Sequence, residues 1–438
     1  MRAHGSDPYV PNHGDDSYRV EHYDLNLAYK VVGNRLDGEA TLACRAGEVA
    51  GGLRSVELDL HALRVAKVWV DDVAAKWTHR GNRVRVQLPR PVGAGMPFVV
   101  RMRYSGSPSL VRSRRLGSAG WEELSDGVIV ASQPHGSPSW FPCNDRPSNK
   151  ATYRIAIRVP AGYRVAASGE LVQTRRAGSS LEWVFEQGVP MATYLATIQI
   201  GRYDVIEQQT SPVPVRVLAP RRLAPGFEAA FGAQPQMLAF FESVFGPYPF
   251  ASYTAVITDD TLEIPLESQG LSTFGRNFMT DDWDSIRLVA HELAHQWFGN
   301  AVTLADWKDI WLHEGFACYA EWLWSQESGG PSTDERAREH YDGLARKPQD
   351  LLLGDPGQDD VFDDRVYKRG ALTLHALRQR LGDKNFFALL KDWTTRYRHA
   401  SVVTDDFIGL AARYADESLR PLWAAWLYAT DVPPLDHS

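Results

Sequence analysis

The stretch His291-Glu292-Leu293-Ala294-His295 is the most informative part of the sequence, and Glu314, in Trp311-Leu312-His313-Glu314-Gly315, completes it. Two histidines four residues apart on a helix are offset by only about 40° and about 6 Å along the axis, so both can reach one metal ion. Glu314 can supply a third, oxygen ligand. Two histidines, one carboxylate and an open fourth position are typical of a catalytic zinc site, whereas structural sites use four protein ligands.

This kind of site indicates hydrolysis of an amide or ester bond. Zinc polarises a carbonyl oxygen and lowers the pKa of its water to about 7. Glu292 is rotated by about 100° from His291, so it is free to act on the zinc-activated water instead of the metal. We predict that Glu292 is the general base, which takes the proton and passes it to the leaving amine. Its apolar neighbours Leu293 and Trp297 favour a buried carboxylate over a solvated one.

The developing oxyanion needs a further hydrogen-bond donor besides the metal. Tyr367 is a candidate by position, although the chain has 17 tyrosines and most serve the core or the surface. Carboxylates behind the ligands are expected to orient the histidines. Asp309 and Glu321 flank the Glu314 helix and could do so, and either could equally be a solvated residue.

Composition excludes several classes of protein. A chain of 438 residues is expected to form two or three domains. The net charge of −7, without a basic run, argues against nucleic acid as a partner. Cys44, Cys143 and Cys318 are too few and too dispersed for a disulfide framework, which fits a reducing compartment. Since no stretch of eighteen apolar residues occurs, we expect a cytoplasmic protein without membrane association.

The first half of the chain reads as strands. Alternating or apolar runs at 83–88, 127–131, 153–159 and 192–198 are separated by Gly, Pro and Asp turns. The pattern predicts an N-terminal domain over residues 1–204, built as an antiparallel β-sandwich or curved, saddle-like sheet.

The second half, residues 205–438, changes to a mainly helical pattern. Helices are predicted at 237–245, from about Thr280 to about Gly299, before Gly382 and after Thr404. A strand is predicted at 253–258. We therefore expect an α+β fold, with a β-domain followed by a helical catalytic domain around the metal helix.

Several segments resemble the zinc aminopeptidases related to aminopeptidase N, which are gluzincin metallopeptidases, in a short two-domain form. The similarity spans essentially the whole chain, and the metal motif with its distant glutamate is highly specific. The segments that carry it are 22–25, 58–60, 140–147, 291–300, 311–317 and 367–371. The resemblance implies a thermolysin-like catalytic domain and one Zn²⁺ held by His291, His295 and Glu314.

The resemblance also implies roles that spacing could not give. Tyr367 falls on the family's oxyanion-stabilising tyrosine. Glu267, after Leu266 in the segment that lines the substrate, falls on the carboxylate that grips the free α-ammonium group. Gln133 is implied as a contact of the first side-chain pocket. His135 falls where an acid or amide usually meets the amine.

Three departures from the family pattern stand out. Ile264 and Ser268 replace a common Gly and Asn, and Lys368-Arg369 replaces a common acid and lysine. The family commonly continues into a small β-domain and a large helical domain, whereas this chain stops at Ser438. We therefore expect a more open cleft.

The function implied is a zinc-dependent aminopeptidase that hydrolyses the first bond of peptides with a free N-terminus, acting as a monomer. A zinc endopeptidase with the same chemistry is an alternative, as is a non-catalytic scaffold, although the latter usually loses ligands. Epoxide hydrolysis also stays open.

Overall fold

A computed structural model describes residues 7–223 and 226–435 of the chain. Within these ranges, strands fill the N-terminal half and helices most of the C-terminal half. This order confirms the predicted α+β architecture.

The N-terminal half consists of antiparallel and mixed sheets. Its strands are β1 Tyr18–Lys30, β2 Arg35–Ala46, β3 Leu53–Asp59, β4 Arg64–Val70, β5 Val73–Ala74, β6 Trp77–Arg80, β7 Arg83–Val92, β8 Pro97–Gly106, β9 Val111–Ser113, β10 Gly117–Leu124, β11 Gly127–Ala131, β12 Ala151–Pro160, β13 Arg164–Ala167, β14 Glu170–Ala177, β15 Ser180–Met191 and β16 Ile198–Gly201. The largest sheet has the order β14-β15-β12-β1-β2-β8-β4-β5, and two smaller sheets have the orders β13-β16-β11-β10-β9 and β3-β7-β6. All neighbours in the largest sheet are antiparallel except β1 and β12, which run parallel.

Three of the four predicted strands lie in β7, β11 and β12. The prediction at 192–198 is wrong, because Thr193–Leu195 forms a 3-10 turn and only Ile198 enters a strand. Side chains from elsewhere satisfy this segment in place of a ladder. The Thr193 hydroxyl donates to Asp145 at 2.7 Å, and the Leu195 carbonyl accepts from Ser168 at 3.2 Å.

The C-terminal half surrounds a second mixed sheet with helices. Its strands are β17 Tyr203–Gln209, β18 Val215–Pro220, β19 Tyr253–Ile257, β20 Leu266–Ser268, β21 Leu271–Phe274, β22 Thr303–Leu304 and β23 Ser401–Val402. Its helices are α1 Glu228–Phe231, α2 Gln234–Phe245, α3 Trp283–Ala294, α4 Trp311–Glu327, α5 Thr333–Ala345, α6 Asp364–Arg396, α7 Thr404–Ala411 and α8 Arg420–Trp426. The sheet order is β17-β18-β19-β21-β20, and β18, β19 and β21 run parallel. Among the helices in the described ranges, none has the length and apolarity needed to cross a membrane.

The two halves meet just before the predicted domain boundary. β16 still pairs with the N-terminal strands β11 and β13, whereas β17, which begins at Tyr203, pairs with β18. We propose that the domain boundary lies between β16 and β17, close to residue 204, where the sequence predicts it.

Helix α3 carries the metal motif. It begins where predicted, because the Asp282 carboxylate caps it by accepting from the Ser285 N–H at 2.8 Å. It ends at Ala294, so the prediction that it extends to about Gly299 is wrong. The chain tightens after Leu293 into turns, such as that from Gln296 N to Leu293 O at 3.1 Å, and Gly299 then adopts a φ of 124°.

Helix α4 crosses the first half of α6 at a close approach between two glycines. A methyl group built on Gly315 would lie 2.7 Å from the Gly370 Cα atom. Helix α6 is interrupted further on at Gly382, which has a φ of 71° and a ψ of 158°. The glycine crossing therefore brings Glu314, on α4, near Tyr367, on α6.

Gly315→Ala is expected to lower the free energy of unfolding by about 1–3 kcal/mol, because the added methyl group meets backbone that cannot move aside. Urea denaturation measures it. Gly343→Ala is the matched control, since Gly343 lies on α5 with nothing within 4 Å of the added carbon. That control should be neutral or slightly stabilising. Equal stability of wild type and Gly315→Ala would contradict the close crossing.

Candidate metal centre and active site

Three side chains converge at the end of α3. His291 lies in the last turn of that helix, and His295 follows it with helical dihedrals, φ −56° and ψ −22°. The Oε2 atom of Glu314 lies 3.3 Å from His291 Nε2 and 3.4 Å from His295 Nε2. All three residues are buried. The helix spacing thus presents both Nε2 atoms to one carboxylate oxygen.

The other nitrogen of each ring has its own partner. His291 Nδ1 lies 2.7 Å from Glu321 Oε1, and His295 Nδ1 lies 3.0 Å from the carbonyl oxygen of Phe298. Both partners are acceptors, so each Nδ1 donates, and each Nε2 is left to face Glu314. Two imidazole nitrogens that face one carboxylate oxygen form a donor set that can bind a cation.

This donor set fits a zinc ion. Tetrahedral zinc with bonds of about 2.1 Å places its ligand atoms about 3.4 Å apart, which matches the two nitrogen–oxygen separations. The protein environment also favours positive charge here. Although burial opposes the shift, nearby carboxylates raise the pKa of His291 to about 9 and that of His295 to about 10. The same histidines lower the pKa of Glu314, against the effect of its burial.

Glu292 is set apart from the three ligand candidates. Its side chain is buried, and its Oε2 atom has no hydrogen-bond partner among the described residues. Burial and the neighbouring Glu267 raise the pKa of Glu292 to about 8, although His291 opposes this. A free carboxylate oxygen with a raised pKa is suited to accepting a proton and releasing it.

Glu267, which is on the edge strand β20, lies beside Glu292 of α3. Ligand atoms of Glu267, Glu292 and His295 all lie within 4.8 Å of one another. The Gln133 amide donates to Glu267 Oε1 at 2.7 Å, so the N-terminal half contributes to this site. Leu266, the preceding residue, is half-buried. Glu267, Glu292 and His295 need not form a second metal site. This group shares His295 with the candidate zinc site and has no second histidine.

Tyr367 closes the site from α6. Its ring stacks on that of His291, with centroids 6.0 Å apart and planes 20° apart. Burial first, and then the charges of Glu314 and Glu267, raise the pKa of Tyr367 well above its usual value. The phenol therefore stays protonated and can donate a hydrogen bond.

Asp309 and His135 have partners outside the group around His291 and His295. Asp309 does not orient a ligand histidine, because its carboxylate accepts from the Thr404 hydroxyl at 2.7 Å. His135 is buried with its ring edge-on to that of His13, at a centroid distance of 6.0 Å, and its predicted contact with the substrate amine stays a prediction. Burial, and then His13, lower the pKa of His135 to about 4, so the ring is neutral.

The partners of the histidines were only half predicted. Glu321 was a candidate, and it forms a hydrogen bond with His291. Although burial opposes the shift, Lys368, His291 and Arg287 lower the pKa of Glu321 to about 2. The Phe298 carbonyl was missed, because nothing in the side-chain pattern marks a backbone acceptor. Arg287 was also missed, although its position one turn before His291 was a usable signal.

A buried site of two histidines and a glutamate, with an extra glutamate and a tyrosine beside it, defines the class of metal-dependent hydrolases. Comparison with known proteins narrows this class. The family description "Peptidase M1 N-terminal domain" matches residues 19–195, and "Peptidase family M1 domain" matches residues 229–426. The chain belongs to peptidase family M1, which confirms the resemblance found in the motifs.

Solved structures agree over the whole chain. The M1 zinc metallopeptidase from Deinococcus radiodurans superposes with a TM-score of 0.89 at 32% identity, over 98% of this chain and 99% of that one. A variant of it bound to a Tyr-Ser-Ala substrate gives a TM-score of 0.90 at 31% identity, over 98% and 99%. The leucyl aminopeptidase of Saccharolobus solfataricus is 23% identical over 440 residues, which cover 95% of this chain and 54% of the relative. The chain spans about half the length, or less, of the curated relatives that it matches.

His295→Ala is expected to reduce bound zinc from about one ion to less than about a tenth of an ion per chain after dialysis, because the site loses one of three ligands. Elemental analysis of the purified protein measures it. His79→Ala is the control, since His79 bonds the Leu60 carbonyl far from the cluster. Full zinc content in His295→Ala would remove this residue from the ligand set.

Proposed function

We propose that this chain is a zinc-dependent aminopeptidase that hydrolyses the first bond of peptides with a free N-terminus. The observation that carries the proposal is the position of the Glu267 carboxylate, within 4.8 Å of Glu292 and His295 and directly beside the metal ligands. A buried carboxylate there, which accepts a hydrogen bond from the Gln133 amide, attracts a cation such as an α-ammonium group.

The geometry selects the first peptide bond. An amino nitrogen lies only about 2.5 Å from the carbonyl carbon of its own residue. A substrate whose ammonium group is held by Glu267 therefore brings its first carbonyl to the ligands His291, His295 and Glu314. A carbonyl further along the peptide cannot reach them while the amine is bound, which favours an exopeptidase over an endopeptidase.

Zinc bound by these three residues would polarise the substrate carbonyl and acidify a water molecule. Glu292 is the base that takes the proton of the attacking water on its free Oε2 atom. It then passes this proton to the nitrogen of the departing peptide. Its raised pKa favours both holding and releasing the proton.

Tyr367 provides the donor for the oxygen that gains charge. Its hydroxyl stays protonated for the reasons given above, and its ring is fixed by stacking on His291. The stacking places a neutral donor next to a metal ligand. A hydrogen bond from this donor to the substrate strengthens as negative charge develops on the substrate.

Similar proteins support the proposal. The Deinococcus radiodurans structures match nearly the whole of this chain and include the form bound to a tripeptide substrate. Curated relatives are named aminopeptidases.

Cys44, Cys143 and Cys318 are all buried and free, which fits the predicted cytoplasmic location. That the chain acts as a monomer stays a prediction.

Tyr-Ser-Ala with a free amine is expected to be cleaved after its first residue, and N-acetylated Tyr-Ser-Ala to be cleaved at least about 100-fold more slowly, since acetylation removes the charge that Glu267 binds. Product analysis by chromatography measures both rates. Glu267→Gln should lower kcat/KM for the free peptide by about 10- to 100-fold. Glu263→Gln, a change at an exposed acid in the loop before β20, is the control.

Equal cleavage of the free and acetylated peptides would contradict the aminopeptidase assignment. It would leave the endopeptidase alternative in place.

Tyr367→Phe is expected to lower kcat by about 10²- to 10³-fold with little change in KM, because the hydroxyl acts mainly on the transition state. Steady-state kinetics on the free peptide measures the two constants. Tyr414→Phe is the control, since the Tyr414 hydroxyl bonds Asp392 in the helical body. An effect confined to KM would remove Tyr367 from the oxyanion-stabilising role.

A further inference from the structure

Glu321 is the buried acid behind the metal ligand His291. Its side chain is 3% exposed, and its two oxygens have different partners. Oε1 lies 2.7 Å from His291 Nδ1, whereas Oε2 lies 3.3 Å from the Arg287 Nη1 atom. The orientation of His291 therefore depends on a carboxylate that is itself held from its other side.

Arg287 reaches Glu321 from the metal helix. It lies one turn before His291 on α3, so the same helix supplies both the ligand and the cation beside its partner. The Arg287 side chain is 28% exposed and also contacts Asp284 at 3.2 Å. This contact keeps the guanidinium between a surface acid and the buried Glu321.

Lys368 approaches Glu321 from a third helix, α6. Its Nζ atom lies 3.5 Å from the Cys318 sulfur, which is on α4 one turn before Glu321. Lys368 and Glu321 attract each other electrostatically. Lys368 also follows Tyr367 directly in sequence.

Arg287 and Lys368 place positive charge beside a group of buried acids. Glu267, Glu292, Glu314 and Glu321 are four buried carboxylates within the described residues. Zinc, when bound, would supply two positive charges, and Arg287 and Lys368 carry one each. A buried charge without compensation is costly, so loss of either cation reduces the compensation of the Glu321 carboxylate behind His291.

We propose that Arg287 and Lys368 are positioning residues for the metal centre, which hold the Glu321 carboxylate against His291 so that His291 Nε2 faces the metal. The inference rests on the proposed zinc site. It adds two residues that are not among the candidate metal ligands.

The test measures the dissociation constant of zinc by competition with a chelator of known affinity. Arg287→Met and Lys368→Met are each expected to weaken zinc binding by about 10- to 100-fold, as do other changes behind metal ligands. Arg287→Lys should restore most of the affinity, because it keeps the charge. Lys347→Met is the matched control, since Lys347 pairs with Asp364 at 2.7 Å on the surface near the start of α6.

A second background separates positioning from a general loss of structure. Glu321→Gln keeps a hydrogen-bond acceptor for His291 but removes the charge, so Arg287→Met should then have an effect of less than about threefold. The same 10- to 100-fold weakening in both backgrounds would overturn the proposal, as would unchanged zinc affinity in Lys368→Met. If Arg287→Met fails to fold, the effect of Lys368→Met on zinc affinity is compared in the wild-type and Glu321→Gln backgrounds instead. A wild-type protein that binds no zinc would instead overturn the proposed function.

Discussion

Four carboxylates buried around one point are the constraint on which the site depends. Glu267, Glu292, Glu314 and Glu321 are each less than 5% exposed. Such a group is stable only with positive charge in its midst, since burial alone disfavours every one of these anions. The raised pKa values of His291 and His295 indicate the same requirement for positive charge. In our account a divalent metal meets it, and each carboxylate then has a different task.

The fold separates these tasks by placing the carboxylates on different elements. Glu314 and Glu321 lie seven residues apart on α4, about two turns, so they contact opposite nitrogens of His291. Glu267 comes from the edge strand β20, whose Ser268 carbonyl accepts from Asn300 at 2.9 Å. The N-terminal half adds Gln133 to Glu267, and Lys150 donates to the Asn300 and Ala301 carbonyls and to Thr303. Both halves of the chain are thus needed to hold the site.

Local patterns predicted what local geometry determines. The spacing of His291 and His295, the cap at Asp282 and the helix before Gly246 depend on a few neighbouring residues, and the structure has all three. The distant partners were harder to predict. Glu321 and Asp309 looked equivalent in sequence, yet only Glu321 meets a histidine, because the choice depends on how α4 lies against α3. The segment at 192–198 was mistaken for a strand because its partners, Asp145 and Ser168, are remote in sequence.

The central claim is that Glu292, although it lies among the ligands, handles the proton and does not hold the metal. Glu292→Gln tests it most directly when zinc content and turnover are measured in one preparation. We predict about one zinc per chain together with a loss of kcat of at least about 10³-fold, since the base is gone and the ligands remain. Turnover close to that of wild type, or a protein that has lost its zinc, would contradict the account.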